Sequence, residues 1–170
     1  MKLKKNLVFL GMMGSGKSSI GLLVAKKLKL KFIDIDNEIE KNLGITIKKI
    51  FDENGEDYFR KIEEKTTLRK LNFNSTVISL GGGAFTNKKI RKEVLRSNLS
   101  FWLNWSSNTL LERIKKNKKR PLATNASDDQ LIDLIQERSN FYSKALYNIK
   151  CDNLSKNEIV NRIIKIYESN

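Results

Sequence analysis

The sequence predicts an α/β fold in which helices flank both faces of a five-stranded parallel sheet. Five short segments read as strands alternate along the chain with segments of helical periodicity, as expected for strand–helix–strand units. A glycine-rich loop follows the first predicted strand, and acidic residues and three consecutive glycines follow the next two. Because ligands bind beyond the carboxyl ends of parallel strands, these polar segments should meet at one edge of the sheet.

Three strands and two helical segments are predicted in the first half of the chain. The segments predicted to be strands are Leu7–Leu10, Phe32–Asp36 and Thr76–Leu80. The first helix spans Lys17–Leu30, where apolar residues recur at helical spacing. Asn37–Leu71 is mostly helical, with interruptions at Gly44 and Gly55.

Two strands and four helices complete the predicted order of elements. The strands are Leu99–Trp105 and Tyr147–Cys151. Helices are expected at about 87–97, at about 108–116, from Ser127 to about 146, and from Ser155 onward. Ser127 and Ser155 each have Gln or Glu three residues later, which is the capping-box pattern of a helix start. The polar segment 117–128 holds the only proline and is predicted to be a loop.

The composition excludes several classes of protein. A chain of 170 residues has the length of one domain, and 39% hydrophobic residues suffice for a core. The absence of histidine excludes imidazole chemistry, and a single cysteine, Cys151, excludes an internal disulfide or a cysteine-cluster metal site. No apolar run reaches the roughly 18 residues of a membrane span, and the basic start lacks the cleavage site of a signal peptide. We therefore expect a cytoplasmic protein with no membrane partner and with Cys151 buried and inert.

The chain is strongly basic, with 33 Lys and Arg against 19 Asp and Glu and a formal net charge of +14. Such an excess is typical of nucleic-acid-binding proteins. Here 25 of the 33 basic residues are Lys and 8 are Arg, whereas recognition of bases and phosphates relies strongly on Arg. The lysines are also scattered in short clusters. A compositional drift toward Lys therefore explains the charge better, and no nucleic-acid partner is expected.

The segment Gly11–Ser18 fits the phosphate-binding pattern G-x-x-x-x-G-K-[ST]. Its glycines allow backbone N–H groups to turn toward phosphate oxygens, and the positive end of the following helix adds to the attraction. The Lys17 ammonium can reach the β- and γ-phosphates, and the Ser18 hydroxyl can bind Mg²⁺. A G-x-G-x-x-G dinucleotide motif is excluded because Ser19 stands where its last glycine would be.

Motifs of other nucleotide-binding proteins are absent from the sequence. A GTPase needs an N/T-K-x-D motif to bind guanine, and the Asn-Lys pairs at Asn87 and Asn117 lack its Asp. Motor proteins and helicases need a longer chain. The sequence therefore predicts a small kinase that transfers a phosphoryl group to a compact acceptor.

Two carboxylates, Asp34 and Asp36, end the second predicted strand. Because side chains alternate along a strand, the two should point to opposite sides of the backbone. One can support Mg²⁺ through water, and the other can accept the proton of an acceptor hydroxyl. The alternative is that Asp36 caps a helix over Asn37–Leu43.

Three of the eight arginines are candidates for binding. Arg60 offers a planar fork for a carboxylate, and Glu63 one turn later could hold it, although a solvated i,i+3 pair is the alternative. Arg138 precedes Tyr142 on a helical segment, where by itself it would be a surface residue. Arg120 lies in the polar segment, which could be a lid that brings it to the transferring phosphoryl group or an ordinary loop.

Three consecutive glycines, Gly81–Gly83, follow the third strand. Ordering three glycines is entropically costly, which favours a role in bringing a ligand close to backbone N–H groups. The alternative is a tight turn between a strand and a helix. Trp102 and Trp105, in the fourth predicted strand, are expected to be core residues.

Together, in this order, the motifs resemble those of the shikimate kinases, small kinases of aromatic amino-acid biosynthesis. The matching segments are Gly11–Ser18, Asp34–Asp36, Gly55–Glu63, Ser79–Ala84, Arg120–Leu122 and Arg138–Tyr142. The resemblance implies one domain over 1–170 with a three-layer P-loop kinase fold, an acceptor-binding helical region at about 36–62 and a mobile lid at about 112–128. The chain departs from the family at Ala123, where Leu is usual, and in 151–155, which lacks the Arg or Pro that often contacts adenine.

The resemblance implies a monomer that uses ATP and Mg²⁺ to phosphorylate the 3-hydroxyl of shikimate, which gives shikimate 3-phosphate. It assigns catalysis to Asp36, Lys17 and Arg120, with Asp36 as the proton acceptor. The residues implied to bind the nucleotide are Gly14, Ser15, Gly16, Lys17, Ser18, Ser19, Arg113 and Arg120, with Arg113 against adenine. Those implied to bind shikimate are Asp36, Arg60, Gly81, Gly82, Gly83 and Arg138, with the two arginines on its carboxylate. Ser18 would bind the metal directly and Asp34 through water.

Two other functions remain open at this point. A related kinase could act on gluconate or a nucleoside, although a neutral acceptor would not need two arginines directed at one carboxylate. A nucleic-acid-binding protein could use the net charge of +14 and a vestigial phosphate loop, and would show a steep salt dependence of binding.

Overall fold

One sheet of five parallel strands organises the computed structural model, which describes residues 5–116 and 126–170. The strands are β1 (Leu7–Leu10), β2 (Lys31–Asp34), β3 (Thr76–Ser79), β4 (Leu99–Asn104) and β5 (Tyr147–Lys150). Their order across the sheet is β2-β3-β1-β4-β5, and each neighbouring pair is parallel. Because β1 is central, the loop that follows it opens in the middle of the carboxyl edge.

Helices cover both faces of this sheet. Those in the described part of the chain are α1 (Lys17–Leu28), α2 (Ile35–Leu43), α3 (Ile47–Leu71), α4 (Lys88–Ser97), α5 (Ser107–Lys116), α6 (Asp128–Tyr142) and α7 (Lys156–Glu168). Leu7 and Phe9 of β1 pack in one apolar cluster with residues of α1 and α7. Val8 and Leu10 pack in a second cluster with residues of α2, α3, α4 and α6. The predicted parallel sheet with helices on both faces is therefore confirmed.

The predicted second strand extends two residues beyond the end of the observed strand. β2 ends at Asp34, whose side chain accepts a hydrogen bond of 3.2 Å from the backbone N–H of Asn37 and so caps α2. Helix α2 begins at Ile35, which places Asp36 in its first turn. The expectation that the two carboxylates alternate along a strand is wrong, and so is the alternative that Asp36 is the cap.

Other boundaries differ by a few residues from those predicted. β4 ends at Asn104, which leaves Trp105 outside the sheet. α6 ends at Tyr142 rather than near 146, and both predicted capping boxes, at Ser127 and Ser155, are present. α3 bends at Gly55, whose φ of 80° and ψ of 174° are accessible to glycine and costly for other residues.

Cys151 is buried, as predicted. Burial raises the pKa of its thiol to about 12, so the thiol is protonated at neutral pH and unreactive.

Among residues 5–116 and 126–170, each helix is too short or too polar to cross a lipid bilayer.

Candidate active site

The phosphate-binding loop lies between β1 and α1 and is shaped by three glycines with positive φ. Gly11, Gly14 and Gly16 have φ of 143°, 78° and 85°, which favour glycine because it lacks a Cβ. The Lys17 ammonium donates hydrogen bonds of 2.8 and 3.0 Å to the carbonyl oxygens of Gly11 and Met12, so the side chain folds back across the loop.

The hydroxyl of Ser18, at the start of α1, donates a short hydrogen bond to Oδ2 of Asp34. One hydroxyl and one carboxylate thus lie side by side next to the phosphate-binding loop. No group of three carboxylate or thiol side chains that could hold a metal ion occurs in the described part of the chain. This pair fits Mg²⁺, which typically keeps several waters and binds one or two protein groups together with substrate phosphates.

A second pocket opens beside the loop, with an open volume of about 410 Å³. Its polar wall consists of Asp36, Arg60, Glu63, Gly81, Gly82, Gly83 and Arg138, and its apolar wall of Met13, Ile47, Phe51 and Phe59. α2, α3, α6 and the glycines after β3 all contribute to this pocket. Met13 belongs to the phosphate-binding loop, so the two sites are adjacent.

Two carboxylates on the same helix hold the Arg60 guanidinium. Its Nη1 donates to Oε2 of Glu63 at 2.6 Å, and its Nη2 and Nε donate to Oε1 of Glu56 at 2.9 and 3.1 Å. Only 3% of the Glu63 side chain is exposed, so this is not the solvated pair considered from the sequence. Burial lowers the pKa of Arg60, but the two carboxylates outweigh it and hold that pKa above its usual value.

The three glycines after β3 lie against the polar side chains of this pocket. A Cβ at Gly81 would collide with Oε1 of Glu63 and lie 2.9 Å from Oδ1 of Asp36. A Cβ at Gly83 would lie 2.6 and 2.7 Å from the two terminal nitrogens of Arg60. A side chain at either position would therefore displace these polar groups.

Arg138 reaches the same pocket from α6 and is only 6% exposed. Its Nη1 lies 3.7 Å from the Met12 sulfur, and a Cβ at Gly82 would lie 3.3 Å from it. One turn later on α6, the Tyr142 hydroxyl donates a short hydrogen bond to the Gly82 carbonyl. Helix α6 is thereby attached to the glycine turn, and the guanidinium is fixed inside the pocket.

A third cavity lies on the other side of the phosphate-binding loop. Its lining is formed by Ser15, Gly16, Ser19, Ile20, Trp105, Arg113, Leu154, Lys156 and Ile159. Arg113 of α5 places its guanidinium carbon 3.7 Å from the centre of the Trp105 ring. The Ser15 N–H donates to the Met12 carbonyl at 3.1 Å, so this N–H is engaged within the loop.

Comparison with known proteins identifies the family. The family model for shikimate kinase matches residues 13–168. The chain belongs to the shikimate kinase family. A shikimate kinase of a Sulfurihydrogenibium species is 38% identical over 160 residues, which cover 94% of this chain and 96% of the relative. A shikimate kinase of Bacillus subtilis is 39% identical over 171 residues, which cover 95% and 88%.

Structural comparison agrees with the sequence comparison. A solved shikimate kinase from Acinetobacter baumannii, in complex with shikimate, superposes with a TM-score of 0.91 at 29% identity and covers 98% of this chain and 94% of that one. The protein therefore has the shikimate kinase fold and is a kinase. Membership in this family also decides against a gluconate or nucleoside kinase, one of the other functions considered from the sequence.

The structure brings most of the sequence-predicted site residues of this shikimate kinase family member to the carboxyl edge of the sheet. Those that line one pocket are Asp36, Arg60, Gly81, Gly82, Gly83 and Arg138. Those in or beside the phosphate-binding loop are Gly14, Ser15, Gly16, Lys17, Ser18, Ser19, Asp34 and Arg113. Arg120, in the segment predicted to be a lid, lies outside the described residues.

Sequence reasoning missed two contributors to the site. Glu56 holds Arg60 from four residues away, a helical spacing that the sequence contains. Trp105 was expected in the core, but it lies beside the phosphate-binding loop. Its position at the carboxyl end of a predicted strand was the signal that could have indicated this.

Proposed function

We propose that this protein transfers the γ-phosphoryl group of ATP to the 3-hydroxyl of shikimate, with Mg²⁺, and releases ADP and shikimate 3-phosphate. The observation that carries the proposal is the pocket in which Arg60, Arg138 and Asp36 converge next to the phosphate-binding loop. Two guanidinium groups and one carboxylate match an acceptor that has a carboxylate at one end and hydroxyls at the other.

On the acceptor side, Arg60 and Arg138 bind the shikimate carboxylate, and Gly81–Gly83 leave room for the ring. Arg60 is oriented by Glu63 and Glu56, which supports a fixed binding geometry rather than a mobile charge. Asp36 orients the acceptor hydroxyl and accepts its proton as the phosphorus–oxygen bond forms. Its carboxylate lies in the first turn of α2, at the end of the pocket near Gly81.

On the phosphate side, Lys17 exchanges its bonds to the loop carbonyls for bonds to phosphate oxygens. The Ser18 hydroxyl would hold Mg²⁺ directly, and Asp34 would hold it through a water. When bound, the ion neutralises charge on the phosphates. The backbone N–H groups of the loop and the N-terminus of α1 add positive potential without any charged side chain. Arg120 supplies a further positive charge to the transferring group.

Formation of ADP by the purified protein, with ATP and Mg²⁺ in the presence and absence of shikimate, tests the proposal. We expect shikimate-dependent turnover, and a loss of about 10²- to 10⁴-fold in Asp36→Asn, the range for removal of a general base. Asp57→Asn is the matched control because Asp57 is an exposed carboxylate on α3. It should retain the wild-type rate.

Two results would contradict the proposal. ADP formation that does not respond to shikimate excludes this acceptor. Full activity of Asp36→Asn would instead keep the acceptor and remove Asp36 from the proton transfer.

A further inference from the structure

Trp105 joins two parts of the molecule that lie on opposite sides of the third cavity. Its indole N–H donates a hydrogen bond of 2.9 Å to the carbonyl oxygen of Ser15, in the phosphate-binding loop. Its ring lies under the guanidinium of Arg113, whose central carbon is 3.7 Å from the ring centre. One side chain thus contacts both the loop and α5.

The Arg113 side chain is packed against the phosphate-binding loop as well as against the ring. A Cβ at Gly14 would lie 3.3 Å from the Cβ of Arg113, and Nη1 of Arg113 lies 3.5 Å from the Gly14 carbonyl oxygen. The long Arg113 side chain would otherwise lose rotamer entropy when a ligand fixes it. Packing between Trp105 and Gly14 accounts for much of that ordering before a ligand binds.

The third cavity has a lining suited to a purine base. Apolar Ile20, Leu154 and Ile159 line it together with Trp105 and Arg113. A guanidinium plane stacks on aromatic faces, and one that already covers an indole can also stack on a base. The cavity adjoins Ser15 and Gly16, so a base in it would lie next to the phosphate-binding loop.

We propose that Trp105 is a positioning residue for the base of the nucleotide, which it serves by holding Arg113 beneath the base, with the indole itself anchored by its bond to the Ser15 carbonyl. The inference rests on the proposed function only in taking a purine nucleotide as the phosphoryl donor. It assigns no contact between Trp105 and the acceptor, since the indole lines a different cavity from Arg60 and Arg138.

The two tryptophans allow a spectroscopic test. Trp102→Phe leaves Trp105 as the only tryptophan, and Trp105→Phe leaves Trp102, which packs in the core with its ring centre 6.1 Å from that of Tyr142. On titration with ADP, we expect a change in indole fluorescence in Trp102→Phe and none in Trp105→Phe. Trp102→Phe should also keep the wild-type affinity for ADP.

Binding measured by calorimetry separates the base from the phosphates. Trp105→Leu should weaken ADP binding by about 10-fold, or 1.4 kcal/mol, from the loss of a cation–π contact and a hydrogen bond. Trp105→Phe keeps a ring under Arg113 and should weaken ADP binding by about 3-fold. Binding of inorganic tripolyphosphate, which has no base, should be the same in the wild type and both variants. The dissociation constant for shikimate should also stay within 2-fold.

Two outcomes would overturn the inference. In one, Trp105→Leu binds ADP as tightly as the wild type. In the other, it weakens ADP and tripolyphosphate equally, which would mean that the indole only supports the fold of the phosphate-binding loop. ADP binding requires no acceptor, so this test gives a result even if shikimate is not phosphorylated.

Discussion

Glu63 and Arg60 form an ion pair of 2.6 Å across one turn of α3, and the Glu63 partner is almost completely buried. The pair lies in the wall of the acceptor pocket and faces Gly81 and Gly83. A buried carboxylate is costly unless it is paired, so each residue depends on the other. The orientation of the guanidinium is therefore set before any acceptor binds.

Arg60→Lys should lower kcat/KM for shikimate by on the order of 100-fold. An ammonium is a point charge and cannot bond Glu63, Glu56 and a substrate carboxylate in one plane. Steady-state kinetics at saturating ATP measure the effect, and KM for ATP should not change. Arg69→Lys is the matched control, because Arg69 is an exposed arginine on the same helix. Equal activity of the two variants would remove Arg60 from acceptor binding.

Glu63→Gln should change how stability depends on pH. Burial raises the pKa of the Glu63 carboxyl, and the ion pair with Arg60 only partly offsets this, so the native pKa lies above the usual 4.5. The protonated form is thus favoured by folding, and its contribution is present below pH 4.5 and is lost as pH rises through the native pKa. The difference in unfolding free energy between wild type and variant should fall from pH 4 to pH 8, as urea denaturation would measure. A difference that rises with pH would mean that the ion pair outweighs burial.

The order of elements and the phosphate-binding loop are predictable from sequence because each depends on local chemistry. The buried strand Leu7–Leu10 is a continuous apolar run, as is typical of parallel strands covered on both faces. The loop needs glycine where φ is positive, and its Gly14 and Gly16 are spaced accordingly. Both capping boxes are similarly local, since each satisfies N–H groups within three residues.

Sequence patterns did not decide between neighbouring helix caps, nor did they reveal contacts between distant segments. Asp36 enters a helix because Asp34 caps it, a choice between two neighbouring carboxylates that spacing alone does not decide. Trp105 leaves the sheet because the register of β4 with β5 ends at Asn104. Arg138 is buried because Gly82 and Met12 come to it from other segments. Sequence periodicity gives no information about contacts between segments that are far apart in the chain.

Gly81→Ala should lower kcat/KM for shikimate by about 100-fold, the order expected when catalytic groups are displaced by about 1 Å. The added methyl group would displace Glu63 and Asp36 together. Gly44→Ala is an instructive control, because nothing lies within 4 Å of a Cβ there and only its φ of 70° disfavours a side chain. It should cost about 1 kcal/mol of stability and leave the kinetics unchanged. Wild-type kinetics in Gly81→Ala would show that the pocket tolerates the displacement.

Tyr142→Phe should lower the free energy of unfolding at neutral pH. The wild type should become less stable as the pH becomes alkaline, and the variant should lack this effect. The hydroxyl bonds the Gly82 carbonyl, and its removal should cost about 1 kcal/mol. Burial raises the pKa of Tyr142 from 10.0 to about 12. The folded state thus favours the protonated phenol, whose contribution is intact below pH 10 and is lost as pH rises from 10 through 12. Between pH 9 and pH 11 the wild type should lose on the order of 1 kcal/mol relative to the variant.

Urea denaturation of both proteins at these two pH values measures this difference. A constant gap in unfolding free energy between pH 9 and pH 11 would contradict the shifted pKa, because equal pKa values in the folded and unfolded states produce no linkage. We expect the variant to be less stable than the wild type at pH 9 and the difference in unfolding free energy to narrow by pH 11. That result would support both the hydrogen bond of the Tyr142 hydroxyl and its raised pKa. The hydroxyl would then connect α6, which carries Arg138, to the glycine turn of the acceptor pocket.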